Sequence, residues 1–106
     1  MRPYLHAITA VTLLPAALAL AAEVATVSQK GRAFGVRDVQ IARGDGVRFA
    51  NDDEFVHQIY VQSPSFSYES AEQPPGGAVA VRFPVAGTFE VRCHIHPKML
   101  LRVTVR

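Results

Sequence analysis

The sequence predicts an all-β fold, a two-sheet β-sandwich with Greek-key connections, on three observations. Beyond residue 21 the apolar residues alternate with a period of two, and no run shows the 3.6-residue spacing of an amphipathic helix. Gly, Pro and Asp interrupt these runs about every 8 to 12 residues, the rhythm of short strands joined by turns. About seven such runs share a chain of 106 residues, which allows one domain and leaves no room for a separate cofactor-binding module.

Residues 1–21 read as a signal peptide. Arg2 supplies a positive charge, residues 7–20 run apolar and uncharged, and Ala19-Leu20-Ala21 offers a small-x-small cleavage site. The apolar run is shorter than the roughly 20 residues that cross a bilayer, so the mature domain, residues 22–106, is expected to be exported to the periplasm with no membrane attachment after cleavage. Cleavage after Ala22 fits almost equally well.

The first strand is expected over residues 24–29. Val39 and Ile41 mark a second, which ends at the turn Arg43-Gly44-Asp45-Gly46, and Val47 and Phe49 follow as the other arm of a hairpin. Asn51-Asp52-Asp53-Glu54 breaks the pattern and reads as a solvated turn. In residues 56–61, His57, Ile59 and Val61 share one face while Gln58 and Tyr60 share the other. Residues 62–77 hold Ser63-Pro64-Ser65 and Gln73-Pro74-Pro75-Gly76-Gly77, lack periodicity, and read as a surface crossover between sheets. Val79, Val81 and Phe83 resume the alternation before the turn Pro84-Val85-Ala86-Gly87. Phe89, Val91 and Cys93 then point inward, opposite Thr88, Glu90 and Arg92. After a loop from His94 to Met99, Leu101, Val103 and Val105 point inward on the closing strand, with Arg102, Thr104 and Arg106 outward.

Without the leader the net charge is +1, which gives no electrostatic case for nucleic acid or an anionic membrane surface. A single cysteine rules out an intramolecular disulfide, so Cys93 is buried, used, or paired between molecules. A monomer is expected. Beyond residue 21 the chain has one Cys, one Met and three His, and all except His57 fall in the window Cys93-His94-Ile95-His96-Pro97-Lys98-Met99. This C-x-x-H-x-x-M spacing gathers a thiolate, an imidazole and a thioether, a soft set suited to copper, and strand alternation lets His57 add a second imidazole from the same interior. Taken singly, each residue has a plainer reading: a buried inert thiol, a satisfied core histidine, a core methionine, an exposed loop histidine. Their coincidence in one loop favours a metal site. His94 directly follows an inward-pointing residue and is expected to face outward.

Other chemistries fit less well. Structural zinc takes four Cys or His ligands, and a haem attachment site needs a Cys where Glu90 stands. A Cys-His nucleophile has no evident oxyanion hole or substrate pocket. Calcium at Asp52-Asp53-Glu54 is the weakest of these readings.

The stretches Lys30-Gly31-Arg32-Ala33-Phe34, Gly44-Asp45-Gly46-Val47-Arg48-Phe49-Ala50-Asn51-Asp52-Asp53 through His57, and Gly87-Thr88-Phe89-Glu90-Val91-Arg92-Cys93 with its loop resemble the small blue copper proteins, or cupredoxins, in their plastocyanin- and amicyanin-like branch. The resemblance implies one copper ion held by His57, Cys93 and His96 with Met99 axial. It implies a one-electron carrier, not an enzyme, working between redox protein partners such as a donor dehydrogenase and a cytochrome c-type acceptor, and docking through the surface at His96, Pro97 and Leu100. Two positions depart from the family pattern: Gln58 stands where Asn often follows the first His ligand, and His94 where a hydroxyl residue often follows the Cys. Val36 also replaces a frequent Pro. The alternatives are a periplasmic copper carrier without an electron-transfer role and, more remotely, a small hydrolase using Cys93.

Overall fold

Period-two alternation produces eight strands in the computed structural model, which describes residues 23–106: β1 (Glu23–Gln29), β2 (Asp38–Ile41), β3 (Gly46–Asn51), β4 (Ile59–Gln62), β5 (Ser67–Glu69), β6 (Ala78–Arg82), β7 (Gly87–Cys93) and β8 (Leu100–Val105). The expected signal peptide lies outside the described residues. Two mixed sheets result. One has the order β1-β3-β6, with β1 parallel and β6 antiparallel to β3; the other has the order β2-β8-β7-β4-β5, parallel only between β2 and β8.

The inward faces agree with the alternation. Val27, Val47, Phe49 and Val81 from the first sheet meet Ile41, Ile59, Val61, Phe89, Val91, Leu101, Val103 and Val105 from the second in one apolar cluster. Each such side chain taken fully out of water contributes roughly 1.5–3 kcal/mol. Arg102 is exposed and Thr104 half-buried on the opposite face of β8.

Two expectations about connections need correction. The turn after β2 does not close a hairpin: β2 pairs with β8 in one sheet, whereas β3 pairs with β1 and β6 in the other. Its backbone is fastened to both. Arg43 N–H bonds Arg106 O at 2.9 Å, Gly44 N–H bonds Phe83 O at 2.8 Å, and the Asp45 carboxylate accepts Ala42 N–H at 2.9 Å. Gly44, at φ 92°, supplies the left-handed step that redirects the chain between layers.

Residues 62–77 do cross between sheets, but they are more than surface. They contain β5, too short at three residues to show periodicity, and Phe66, whose ring packs at 5.5 and 5.7 Å from those of Phe83 and Phe89. Ser70 and Gln73 are also buried.

Candidate metal centre

Three elements meet at one end of the sandwich. Cys93 is the last residue of β7 and pairs with Ile59, so the phase that buries Phe89 and Val91 also buries its thiol. His57 precedes β4 in phase with Ile59 and Val61. A two-way backbone bridge fixes it: His57 N–H bonds Gln73 O at 3.1 Å, and Gln73 N–H bonds His57 O at 2.7 Å. His96 lies in the loop 94–99, where its carbonyl accepts Met99 N–H at 3.0 Å and the turn sends Met99 inward. Met99 is only 2% exposed, yet it lies outside the main apolar cluster, at the end of the sandwich that carries the site.

The donor atoms converge. His57 Nδ1 and His96 Nδ1 are 3.2 Å apart, and Cys93 Sγ lies 3.6 Å from the first and 3.8 Å from the second. The point equidistant from all three is about 2 Å from each, close to the roughly 2.0–2.1 Å of a metal–imidazole bond and the 2.3 Å of a metal–thiolate bond. The triangle therefore has the size of a three-ligand metal site. His57 and Cys93 are buried, while His96 is half-buried and reaches the surface.

Asp53 overturns the solvated-turn reading of the acidic cluster. It is 8% exposed, and its carboxylate accepts Arg32 N–H at 2.8 Å, Glu54 N–H at 3.0 Å and a bond from His57 Nε2 at 3.0 Å. These donors hold its carboxyl down to about 2, the Arg32 amide being the largest cause. A carboxylate can only accept, so His57 carries its proton on Nε2 and turns the Nδ1 lone pair toward Cys93 and His96. Arg32 reaches this position in the left-handed region, at φ 55°, directly after Gly31 at φ 63°. Its guanidinium lies 4.0 Å from the centre of the Phe55 ring, which meets the His96 ring edge-on at 6.1 Å.

A buried polar belt supports the turn. Asn51 Nδ2 donates to Phe55 O and Gln73 O, both at 2.9 Å, and its Oδ1 accepts Asp53 N–H at 3.0 Å. Gln73 Oε1 accepts Gln29 Nε2 at 2.9 Å, and Gln73 Nε2 donates to Phe49 O at 3.3 Å. The sequence reading missed Asp53, Asn51 and Gln73. The one available signal was that Asp53 stands four residues before His57, and two further acids beside it obscured that.

The departures at Gln58 and His94 leave the backbone to join the two ligand segments. His94 N–H bonds Gln58 O at 2.9 Å, and Gln58 N–H points at Cys93 Sγ at 3.4 Å. The Gln58 side-chain amide donates to Ser70 O at 2.9 Å and Glu69 Oε1 at 3.3 Å; His94 Nε2 lies 3.4 Å from the same Glu69 oxygen. The His94 ring stacks on Tyr60 at 3.8 Å, outside the triangle, as expected. At the surface, Arg32, Ile95, His96, Pro97 and Lys98 line one shallow depression. Leu100, also exposed, lines a second depression with Arg37, Asp38 and Arg102, and Ile95 is the exposed aliphatic residue in the depression that holds His96.

Burial lowers the His96 pKa below 6.5, helped by the nearby His57 and Arg32, while Asp53 opposes the shift. The metal-free ring is therefore held toward its neutral, donor-competent form.

No protein-family model matches the chain, and no curated protein matches it in sequence. Solved structures match its fold. A Cu(I)-form mutant of amicyanin aligns with a TM-score of 0.73 at 20% identity, over 81% of this chain and 85% of that one. A purple cupredoxin from Nitrosopumilus maritimus gives 0.69 at 20% identity, over 77% of this chain and 99% of that one. A copper-containing nitrite reductase from Thermus scotoductus SA-01 gives 0.69 at 26% identity, over 77% of this chain but only 22% of the reductase. The chain thus has the cupredoxin fold.

Proposed function

We propose that the protein is a one-electron carrier in which His57, Cys93 and His96 would hold a single copper ion, with the Met99 thioether as a weak fourth donor. The convergence of one thiolate and two imidazoles on a metal-sized triangle carries this reading. Two imidazoles and a thiolate with a weak thioether form the donor set of type 1 copper, and such proteins share this chain's fold.

Copper bound there would supply the Cu(II)/Cu(I) couple that one-electron exchange between a donor and an acceptor protein requires. The chain's own residues keep the cost of that change low. Asp53 and the Gln73 bridge fix the His57 ring, Gln58 N–H supports the Cys93 sulfur, and burial keeps both in a dry, stiff frame. His96 is the one ligand with an edge toward solvent, so it provides the short route to a partner docked over Arg32, Ile95, Pro97 and Lys98. A donor dehydrogenase and a cytochrome c-type acceptor remain the proposed partners, and export directed by the expected signal peptide, residues 1–21, would put the exchange in the periplasm.

Voltammetry of the copper-loaded protein, paired with a challenge by a Cu(I) chelator, tests this role. A reversible one-electron wave and slow copper loss are expected. Rapid surrender of Cu(I) with sluggish electron exchange would favour the copper carrier instead.

A further inference from the structure

We propose that Asp53 is the residue that positions His57 and biases the centre toward its oxidised state, an inference that rests on the copper reading above. The Asp53 carboxylate sits on the far side of the His57 ring from the donor triangle. Both its oxygens accept N–H groups: Oδ2 from Arg32 N–H and His57 Nε2, Oδ1 from Glu54 N–H. Among the described residues, His57 is its only side-chain partner within ion-pair distance. The Arg32 guanidinium is turned onto the Phe55 ring, and Lys30, which lines the same surface depression as Asp53, makes no ion pair with it. Its negative charge therefore acts on the site through one imidazole, across a hydrogen bond whose His57 end is fully buried.

Two consequences follow. The bond to Nε2 fixes the tautomer and rotation of the ring before any metal arrives, so Nδ1 is presented to Cys93 and His96 without reorganisation. The same bond makes the imidazole a stronger donor, and among the described residues Asp53 is the one carboxylate hydrogen-bonded to a ligand ring. Both effects favour Cu(II) over Cu(I), the more highly charged ion gaining more from each. Asp53 thus acts on the redox preference through His57, without touching the metal.

The neighbouring Asp52 provides the control. It carries the same formal charge one residue away, but its carboxylate accepts a bond from the Ser28 hydroxyl at 2.6 Å and does not touch His57. Asp53→Asn keeps the shape and removes the charge; the ratio of Cu(II) to Cu(I) affinity is expected to fall about tenfold or more. That corresponds to a rise in potential of about 59 mV per tenfold change for a one-electron couple. Asp52→Asn is expected to move the ratio less than about twofold. Equal shifts in the two variants would overturn the proposal, since a general field effect would then suffice. A second readout needs neither variant nor metal: nitrogen-15 NMR of the metal-free wild-type protein should show His57 as the Nε2–H tautomer, and an Nδ1–H tautomer would refute the positioning role. If the wild-type protein forms no thiolate–copper band, the copper reading falls, and the tautomer still decides whether Asp53 positions His57.

Discussion

Replacing Asn51 by Ala tests whether the end of β3 preassembles the site. Asn51 is 1% exposed and makes three side-chain hydrogen bonds, to Phe55 O, Gln73 O and Asp53 N–H. Their losses are unequal. Gln73 O keeps its bond from His57 N–H, and Phe55 O is only part-buried, so each of these loses about 0.5–1.5 kcal/mol. The buried Asp53 N–H is orphaned, which costs about 1–3 kcal/mol. The total, about 2–6 kcal/mol, is a large part of the roughly 4–13 kcal/mol expected for a domain of this size. Urea unfolding of the metal-free protein, read by far-UV circular dichroism, should show a lower midpoint at unchanged slope. Copper should raise the midpoint again, since a ligand that binds only the folded state adds stability that grows with the logarithm of its concentration over its dissociation constant. A change below about 1 kcal/mol, with the His57 ring resonances unmoved, would refute the idea that Asn51 organises the turn carrying Asp53 and His57.

Three other outcomes are expected. Met99→Gln should retain copper and lower the potential, because an oxygen donor favours Cu(II); complete loss of binding, seen by metal analysis, would show that Met99 is more than a weak axial ligand. The stability of the metal-free protein should fall as the pH drops below about 6.5, because His96 has a depressed folded-state pKa and the unfolded chain takes up the proton first; thermal midpoints across pH 4 to 8 should show this slope flattened in His96→Gln. Asp53 acts in a lower window: its carboxyl titrates at about 2 in the folded protein against 3.8 ordinarily, so its contribution is complete above about pH 4 and disappears as the pH falls toward 2. Asp53→Asn should accordingly be less stable than wild type at pH 6 and converge with it near pH 2 in the same thermal measurements.

The features legible in the sequence were those with a period or a rare residue type. Alternation through Phe89, Val91 and Cys93 determined which way the thiol points, and the same alternation aligned His57 with Ile59 and Val61. The scarcity of Cys, Met and His made the 93–99 loop conspicuous. What escaped depends on contacts between distant segments. Pairing of β2 with β8 is set by residues some 60 positions apart, so a local turn signal at Gly44 wrongly suggested a hairpin. Three-residue β5 has no measurable period. Asp53 and Gln73 are common polar residues in stretches that read as loop, and only the fold brings both into hydrogen-bond contact with His57 and Asn51. The effect of Gln58 and His94 was equally hidden, because backbone groups join the ligand segments there whatever the side chains are.

If Cys93, His57 and His96 hold one copper ion, with a short bond to the thiolate, the optical and electron paramagnetic resonance spectra of the oxidised, copper-loaded protein will show it. One equivalent of Cu(II) should give an intense visible band from thiolate-to-copper charge transfer and a narrowed copper hyperfine splitting, both lost in Cys93→Ser. A pale protein with the wide splitting of ordinary tetragonal Cu(II), or a Cys93→Ser variant that keeps the intense band, would contradict the account.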